Sequence, residues 1–338
     1  MFLFQLKTLL KYKKLIFSMI RLKEIAEVCS VNVSTVSRAL KDDPRVKADT
    51  RKKIHDTASR MGYTPNWAAQ SLKGGKTNTI WFLIADLFNP LTAQLATHCS
   101  HELAQAGFDL SVILYHNDED RYEHLLRRLH FGITDGALVV GSHNFNSFKK
   151  RGQLIDDLQQ RSFPAIFLDR FERETKLPIV TTNHISAISA LLENLLFSSP
   201  DLVVDLFSPS QNMVEYSRQQ ALLNLLKVKH PSHQSLFGNS NDQILPGKKV
   251  AILASSEVRV KKFLKKRAQE LENRELLIGV FDQWLGNTTP FLEVFICQQD
   301  FNQMAHQACS LLISKIQNPS FKIPINTRVP YKSLLKLF

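Results

Sequence analysis

The sequence predicts an all-α helix-turn-helix headpiece joined to an α/β body of two doubly wound parallel-sheet lobes. Two short amphipathic segments separated by a brief turn stand near the start, and from residue 80 onward continuous apolar runs alternate with helical patterns. A chain of 338 residues that is 44% hydrophobic exceeds one ordinary domain and has enough apolar material for real cores.

Residues 1–18 mix Lys7, Lys11, Lys13 and Lys14 with apolar residues. They are too broken for a membrane span, which needs roughly 20 mostly apolar residues. No small-residue cleavage site follows, which argues against a signal peptide. The stretch reads as an over-long start assignment or an accessory basic arm. Residues 22–29 place Leu22, Ile25, Ala26 and Cys29 on one helical face, and Ser30 and Val31 make a turn. Asn32 is placed to cap the next helix through its side-chain oxygen. Val36 and Leu40 then sit on one face, with Ser34, Ser37 and Arg38 on the other. Such a helix fits a DNA major groove, its hydroxyls and guanidinium outward. A third helix over residues 50–61 offers Ile54, Ala58 and Met61 to close a small core. On periodicity alone, a three-helix bundle without a partner also fits.

Charge adds a second line of argument. Residues 19–79 hold twelve Lys or Arg against six Asp or Glu, a net of +6 within a chain of formal charge +12. A basic small domain on a larger body is the footprint of a DNA binder. Residues 66–78 then run from Asn66 through helix formers to Gly74 and Gly75. They form either a helix too short to persist alone or a flexible tether.

In the body, strands are expected at 80–85, 108–115, 136–140 and 164–168, with helices at 91–106, 122–130 and 148–160. A second α/β unit follows after about residue 183, with helices at 188–197, 216–228 and 258–271 and strands at 202–207, 249–254 and 276–281. A helix at 303–316 and a last strand before the tail complete the pattern. The tail after Ile325 is too brief for several heptads, so no tetramerising coiled coil is expected. Ligands of open parallel sheets bind at the carboxyl ends of strands, which places a site in the cleft between lobes.

The order and spacing of residues 22–40, then Val46, Thr50-Arg51, the run Met61-Gly62-Tyr63-Thr64-Pro65-Asn66, and residues 69–72 resemble the LacI/GalR family of transcriptional regulators. Residues 135–139 and 164–170 are similar to landmarks of that family's effector-binding half. The resemblance implies a headpiece at 19–65, a hinge helix at 66–78 and a periplasmic-binding-protein-like effector and dimerisation domain at 79–338. Its first lobe would take 79–183 with 301–319, and its second 184–300 with 320–338. The implied protein is a cytoplasmic, nucleoid-associated homodimer, most often a repressor, on a near-palindromic double-stranded DNA operator.

Base edges are then expected at Val33, Ser34 and Arg38, and phosphates at Thr35 and Ser37. Asn66, Ala69 and Leu72 belong to the hinge, with Leu72 matching the residue that enters the minor groove. The effector candidates are Phe88, Asn89, Asp118, Asp169, Arg170, Arg218, Ser256 and Asp282, around a small carbohydrate-like ligand. The chain departs from the family pattern at Ser255-Ser256, where the family has Asn-Asp, at Val280 and Ala221 in place of glycines, and at 195–200. A serine cannot supply the charge-assisted bidentate grip of a carboxylate.

Other classes find less support. The cysteines Cys29, Cys99, Cys297 and Cys309 are far apart with no CxxC pair, so neither a metal nor a disulfide is expected, and Cys29 reads as buried. No HExxH spacing, nucleophile elbow or cofactor motif is present, so catalysis is not expected. A sugar transport protein would share the lobes but would need a secretion signal and no basic headpiece.

Overall fold

A computed structural model describes residues 20–63, 76–142, 148–171, 175–208, 213–229, 233–235, 244–286 and 292–337. The chain divides into two compact units, Met1–Gly75 and Lys76–Phe338.

The first unit contains α1 (Leu22–Cys29), α2 (Val33–Ala39) and α3 (Ala48–Met61). Ile25, Ala26 and Cys29 of α1, Val36 and Ala39 of α2, and Ile54 and Ala58 of α3 close a core with Val46. Leu22, Leu40 and Met61, expected on those faces, are partly buried against it. Helix α1 stops at Ser30, which turns left-handed at φ 57, and Val31 N–H returns to Ala26 O at 3.0 Å. Helix α3 stops at Gly62, φ 68, where a residue without Cβ is unstrained.

The second unit is built on two six-stranded sheets. In chain order its elements are β1 (Thr79–Ile84), α4 (Pro90–Gln105), β2 (Asp109–Leu114), α5 (Glu119–Arg128), β3 (Gly136–Val139), α6 (Phe148–Gln160), β4 (Ala165–Leu168) and β5 (Ile179–Thr182). There follow α7 (His184–Phe197), β6 (Leu202–Asp205), α8 (Met213–Lys229), β7 (His233–Ser235), β8 (Lys249–Leu253), α9 (Glu257–Lys266), α10 (Ala268–Leu271) and β9 (Glu275–Phe281). The last are β10 (Leu292–Gln299), α11 (Phe301–Gln317), β11 (Asn326–Val329) and β12 (Tyr331–Leu337).

The first sheet runs β11-β5-β4-β3-β1-β2, and all its pairings are parallel. Successive side chains of a strand point to opposite faces, so Ile80, Phe82 and Ile84 pack under α4 and α11 while Trp81 and Leu83 pack under α5 and α6. This double burial is why the strands read as unbroken apolar runs. The second sheet runs β12-β10-β9-β8-β6-β7, with α7 and α8 on one face and α9 and α10 on the other. The chain passes between the sheets at Asn183, Asp300 and Pro330. Asn183 and Asp300 are also N-caps, accepting from Ser186 N at 3.3 Å and Gln303 N at 2.9 Å.

Several expectations are corrected. The helix expected at 258–271 is broken at Arg267, which leaves helical geometry with φ −112 and pairs its guanidinium with Glu270. Strands β5, β7 and β10 were not anticipated. The tail is itself strand: β11 extends the first sheet beside β5, whereas β12 lies antiparallel on β10. Residues 326–329 therefore belong with the first sheet, because backbone groups beside β5 are satisfied by a further strand there. All four cysteines are buried and free. Among the described residues, no helix is long and apolar enough to cross a membrane.

Candidate DNA interface and effector cleft

Helix α2 has two unlike sides. Val36 and Ala39 are wholly buried against α1 and α3, while Val33 is 43% exposed and Ser34 and Arg38 are exposed beside it. Thr35 and Ser37 stand half-buried on the flanks. The guanidinium of Arg38 makes no hydrogen bond or ion pair with any described residue, so its donors face outward. Asn32 occupies the N-cap position in extended conformation, but its side chain makes no capping bond, contrary to expectation. Its amide is exposed, and a hydrated amide gains little by turning back onto the helix. Past the helix, Arg45 grips Asp43 through Nε to Oδ1 at 3.0 Å and Nη2 to Oδ2 at 2.7 Å. That fork, with the Arg45 N–H, holds the Asp43 carboxyl well below the usual carboxylate range.

In the body, a second polar constellation gathers where strands of both sheets end. Asp169, just past β4, is left-handed at φ 65, and its carbonyl accepts Thr181 Oγ1 at 3.0 Å. Thr181 in turn lies 3.3 Å from Nε2 of His184, the first residue of α7. One residue on, Thr182 Oγ1 donates to Gln299 Oε1 at 2.7 Å, so the ends of β5 and β10 are joined across the sheets. Gln299 also donates from Nε2 to Asp282 Oδ2 at 2.9 Å and from its backbone N to Oδ1 at 3.2 Å. Arg218, on α8, is only 4% exposed and lies with its guanidinium 3.5 Å over the Phe281 ring.

The electrostatics of this constellation follow from burial. Desolvation pushes Asp282 up to about 6, against the pull of Arg218 and Gln299. Asp169 is raised for the same reason, against Arg170 and Arg218. His184 is held well below the ordinary histidine value by burial, with Arg218 and Arg328 adding to the effect, so its imidazole is neutral. Four buried polar atoms here have no hydrogen-bond partner among the described residues: Asp169 Oδ1, His184 Nδ1, Arg218 Nε and Ser255 Oγ. They mix donors and acceptors, and a ligand bearing hydroxyl groups could satisfy both kinds.

Comparison with known proteins finds similarity in both parts of the chain. Residues 21–66 match the family described as bacterial regulatory proteins, lacI family. Over 177 residues the chain is 29% identical to catabolite control protein A of Priestia megaterium, covering 52% of this chain and 51% of that protein. It is likewise 29% identical over 179 residues to the HTH-type transcriptional regulator PtxS of Pseudomonas putida, covering 52% and 50%. Residues 21–66 are therefore of the lacI-family type, and about half of the chain is similar to regulators carrying that segment. It spans about half the length of the curated relatives it matches. The fold of this chain is similar to that of a chain in the crystal structure of the lac repressor dimer bound to operator and the anti-inducer ONPF, with TM-score 0.72 at 18% identity, covering 94% of this chain and 97% of that one. The Cra regulator of Pseudomonas putida in complex with fructose 1-phosphate matches with TM-score 0.61 at 20% identity, covering 77% and 98%.

The body brings together some of the effector candidates and disperses others. Arg170 and Arg218 both lie near enough to act on the Asp169 carboxyl, and Arg218 and Asp169 on that of Asp282. Phe88, at 96% exposure, and Asn89 stand at the start of α4, where the Asn89 side chain is spent on Leu91 N at 3.1 Å. Asp118 caps α5 through Arg121 N at 3.0 Å. Ser256 is exposed as the N-cap of α9, and the buried hydroxyl is that of Ser255. Trp284 is part of the core under α9. Asn66, Ala69 and Leu72 lie outside the described residues. Thr181, Thr182, His184 and Gln299 were missed, although the carboxyl-end rule for strands would have pointed to the first three once β5 was recognised.

Proposed function

We propose that this chain is a sequence-specific transcriptional regulator, a repressor, that binds a near-palindromic operator as a homodimer and answers to a small carbohydrate-like effector between its lobes. The observation that carries this reading is α2, a seven-residue helix sealed on one side by Val36 and Ala39 and presenting Val33, Ser34 and Arg38 on the other. Arg38 would bond guanine O6 and N7, Ser34 either base, and Val33 a thymine methyl, while Thr35 and Ser37 hold phosphates. In this reading Asn66, Ala69 and Leu72 form the hinge, and Leu72 opens a soft central step of the operator. The protein works in the cytoplasm, on the nucleoid, and catalyses no reaction.

The effector part rests on Asp169, Arg170, Arg218, Ser255 and Asp282. Ligand binding there would favour one degree of lobe closure and so alter how two headpieces meet DNA, since a ligand shifts an equilibrium only through differential affinity. The full chain should be incubated with genomic fragments and the retained fragments sequenced. A shared two-fold motif is expected. Retention without any common sequence would defeat the proposal.

A further inference from the structure

Helix α3 does more than close the headpiece core. Three of its side chains reach the carbonyl ends of the other two helices. Lys53 Nζ donates to Cys29 O at 3.4 Å, at the end of α1. Arg51 Nη1 donates to Asp42 O at 3.2 Å, in the turn that leaves α2. His55 Nε2 lies 3.0 Å from Ala39 O, the last residue of α2, and 3.3 Å from Asp42 Oδ1. Ala39 O already takes the Asp42 N–H at 3.0 Å, so the imidazole occupies its second lone pair.

Both neighbours of His55 Nε2 are acceptors. A carbonyl and a carboxylate cannot donate, so Nε2 must carry the proton, and the tautomer is fixed by the site. The donated bond ties α3 to the residue directly after Arg38. Helix α2 spans only Val33–Ala39, and a helix that short has little hold on its own direction. Its N-terminal end gains nothing from the Asn32 side chain, which makes no capping bond. Its other end is therefore where orientation must be set.

We infer that His55 is a positioning residue for DNA recognition: its Nε2–H, bonded to Ala39 O, fixes the C-terminal end of α2 and thereby the angle at which Arg38 meets a base. The inference rests on the DNA-binding reading above, and no contact between His55 and DNA is required. The mechanism is local. Without the bond, α2 can rock about its buried Val36, and the reach of Arg38 is spread over several base-edge geometries.

The test uses the full chain with His55→Phe, which keeps a ring and drops the donor, and His55→Gln, which returns an N–H at similar reach. His55→Asn, polar but too short to reach Ala39 O, serves as a second loss variant. Amide hydrogen exchange of residues 33–42 is measured without DNA, and preference for a retained genomic duplex over a scrambled one is measured by competition. His55→Phe and His55→Asn should each speed exchange and reduce that preference by about fivefold, the worth of one ordinary hydrogen bond. His55→Gln should restore both. Unchanged exchange in the Phe and Asn variants, or a Gln variant as impaired as Phe, overturns the inference. A wild-type chain that prefers no duplex would instead bring down the DNA-binding reading, and the exchange measurement would still decide whether His55 holds α2.

Discussion

The headpiece and the cleft of the body handle polar groups in opposite ways. On α2 the candidate reading side chains are exposed, and the apolar side beneath them comes from residues within one 44-residue stretch, 20–63. Exposed Arg38 and Ser34 cost folding almost nothing, because water satisfies them. In the cleft, Asp169, His184, Arg218 and Ser255 carry buried polar atoms without partners among the described residues, and they come from well-separated parts of the chain. Each such atom costs about 1–3 kcal/mol. A surface that must wait for DNA can be built from locally encoded structure, whereas a site that must respond to a small ligand holds unmet hydrogen bonds that the ligand can complete.

The largest expected effect tests the small size of the headpiece core. Val36→Asp places a carboxylate at a position with no solvent exposure, among seven other buried residues. A loss of about 4 kcal/mol or more should unfold the headpiece and abolish DNA binding. Circular dichroism melts should lose the headpiece transition and keep that of the body. If both transitions vanish, the two units are not independent and the contrast fails.

The cleft should reveal itself through pH. Asp282 titrates at about 6 in the folded protein against an ordinary 3.8, so between those values the folded state binds more protons than the unfolded one. Stability then falls as pH rises through this window, by about 3 kcal/mol in full. Asp282→Asn removes the titration while giving up one bond from Gln299. Urea unfolding at pH 4 and pH 7 should show wild type losing more stability than the variant. Equal losses would mean that the Asp282 carboxyl is well solvated, and the comparison with exposed α2 would lose its sharpest term.

What the sequence disclosed follows the same divide. The α1–α2–α3 order could be read because Ile25, Ala26, Cys29, Val36, Ile54 and Ala58 repeat at helical spacing within a short span. In the body, unbroken runs such as residues 79–84 announced strands buried on both faces. Four-residue β5 has no such length, and a short apolar run next to Pro178 is indistinguishable from a loop until a sheet is there to receive it. Asn89 and Asp118 show how ambiguous a local signal is: a short polar side chain before a helix suits a pocket or a cap, and both accept an N-cap hydrogen bond. Gln299 becomes a neighbour of Thr182 only through the crossing of the chain between sheets, which no spacing records, whereas His184 lies three residues beyond Thr181.

Arg38 offers a smaller but more selective effect. Arg38→Ala should cost about 1–3 kcal/mol of discrimination at one base pair per half-site while leaving the melting temperature nearly unchanged, since the side chain is exposed and makes no hydrogen bond or ion pair with a described residue. Competition with single-substituted operators would show the loss confined to that pair. Uniform weakening across all sequences would reassign Arg38 to a phosphate, and α2 would then position the protein without reading DNA.

The smallest effect concerns the bond that joins the two sheets. Thr182 is 1% exposed, and its hydroxyl meets Gln299 Oε1 at 2.7 Å, so Thr182→Val keeps the shape and removes the donor. Gln299 still holds Asp282 through its N–H groups, but its carbonyl oxygen loses a partner in a buried place. The cost should be about 1 kcal/mol in urea unfolding of the body, well below that of a core cavity. The loss should be smaller still if the lobes separate slightly and water reaches Gln299, because hydration replaces most of a missing hydrogen bond. Amide exchange at Asn183 and Asp300 distinguishes the two outcomes. Faster exchange with little loss of stability would mean that this bond restrains lobe movement, and unchanged exchange with the full loss would mean that it only satisfies buried groups.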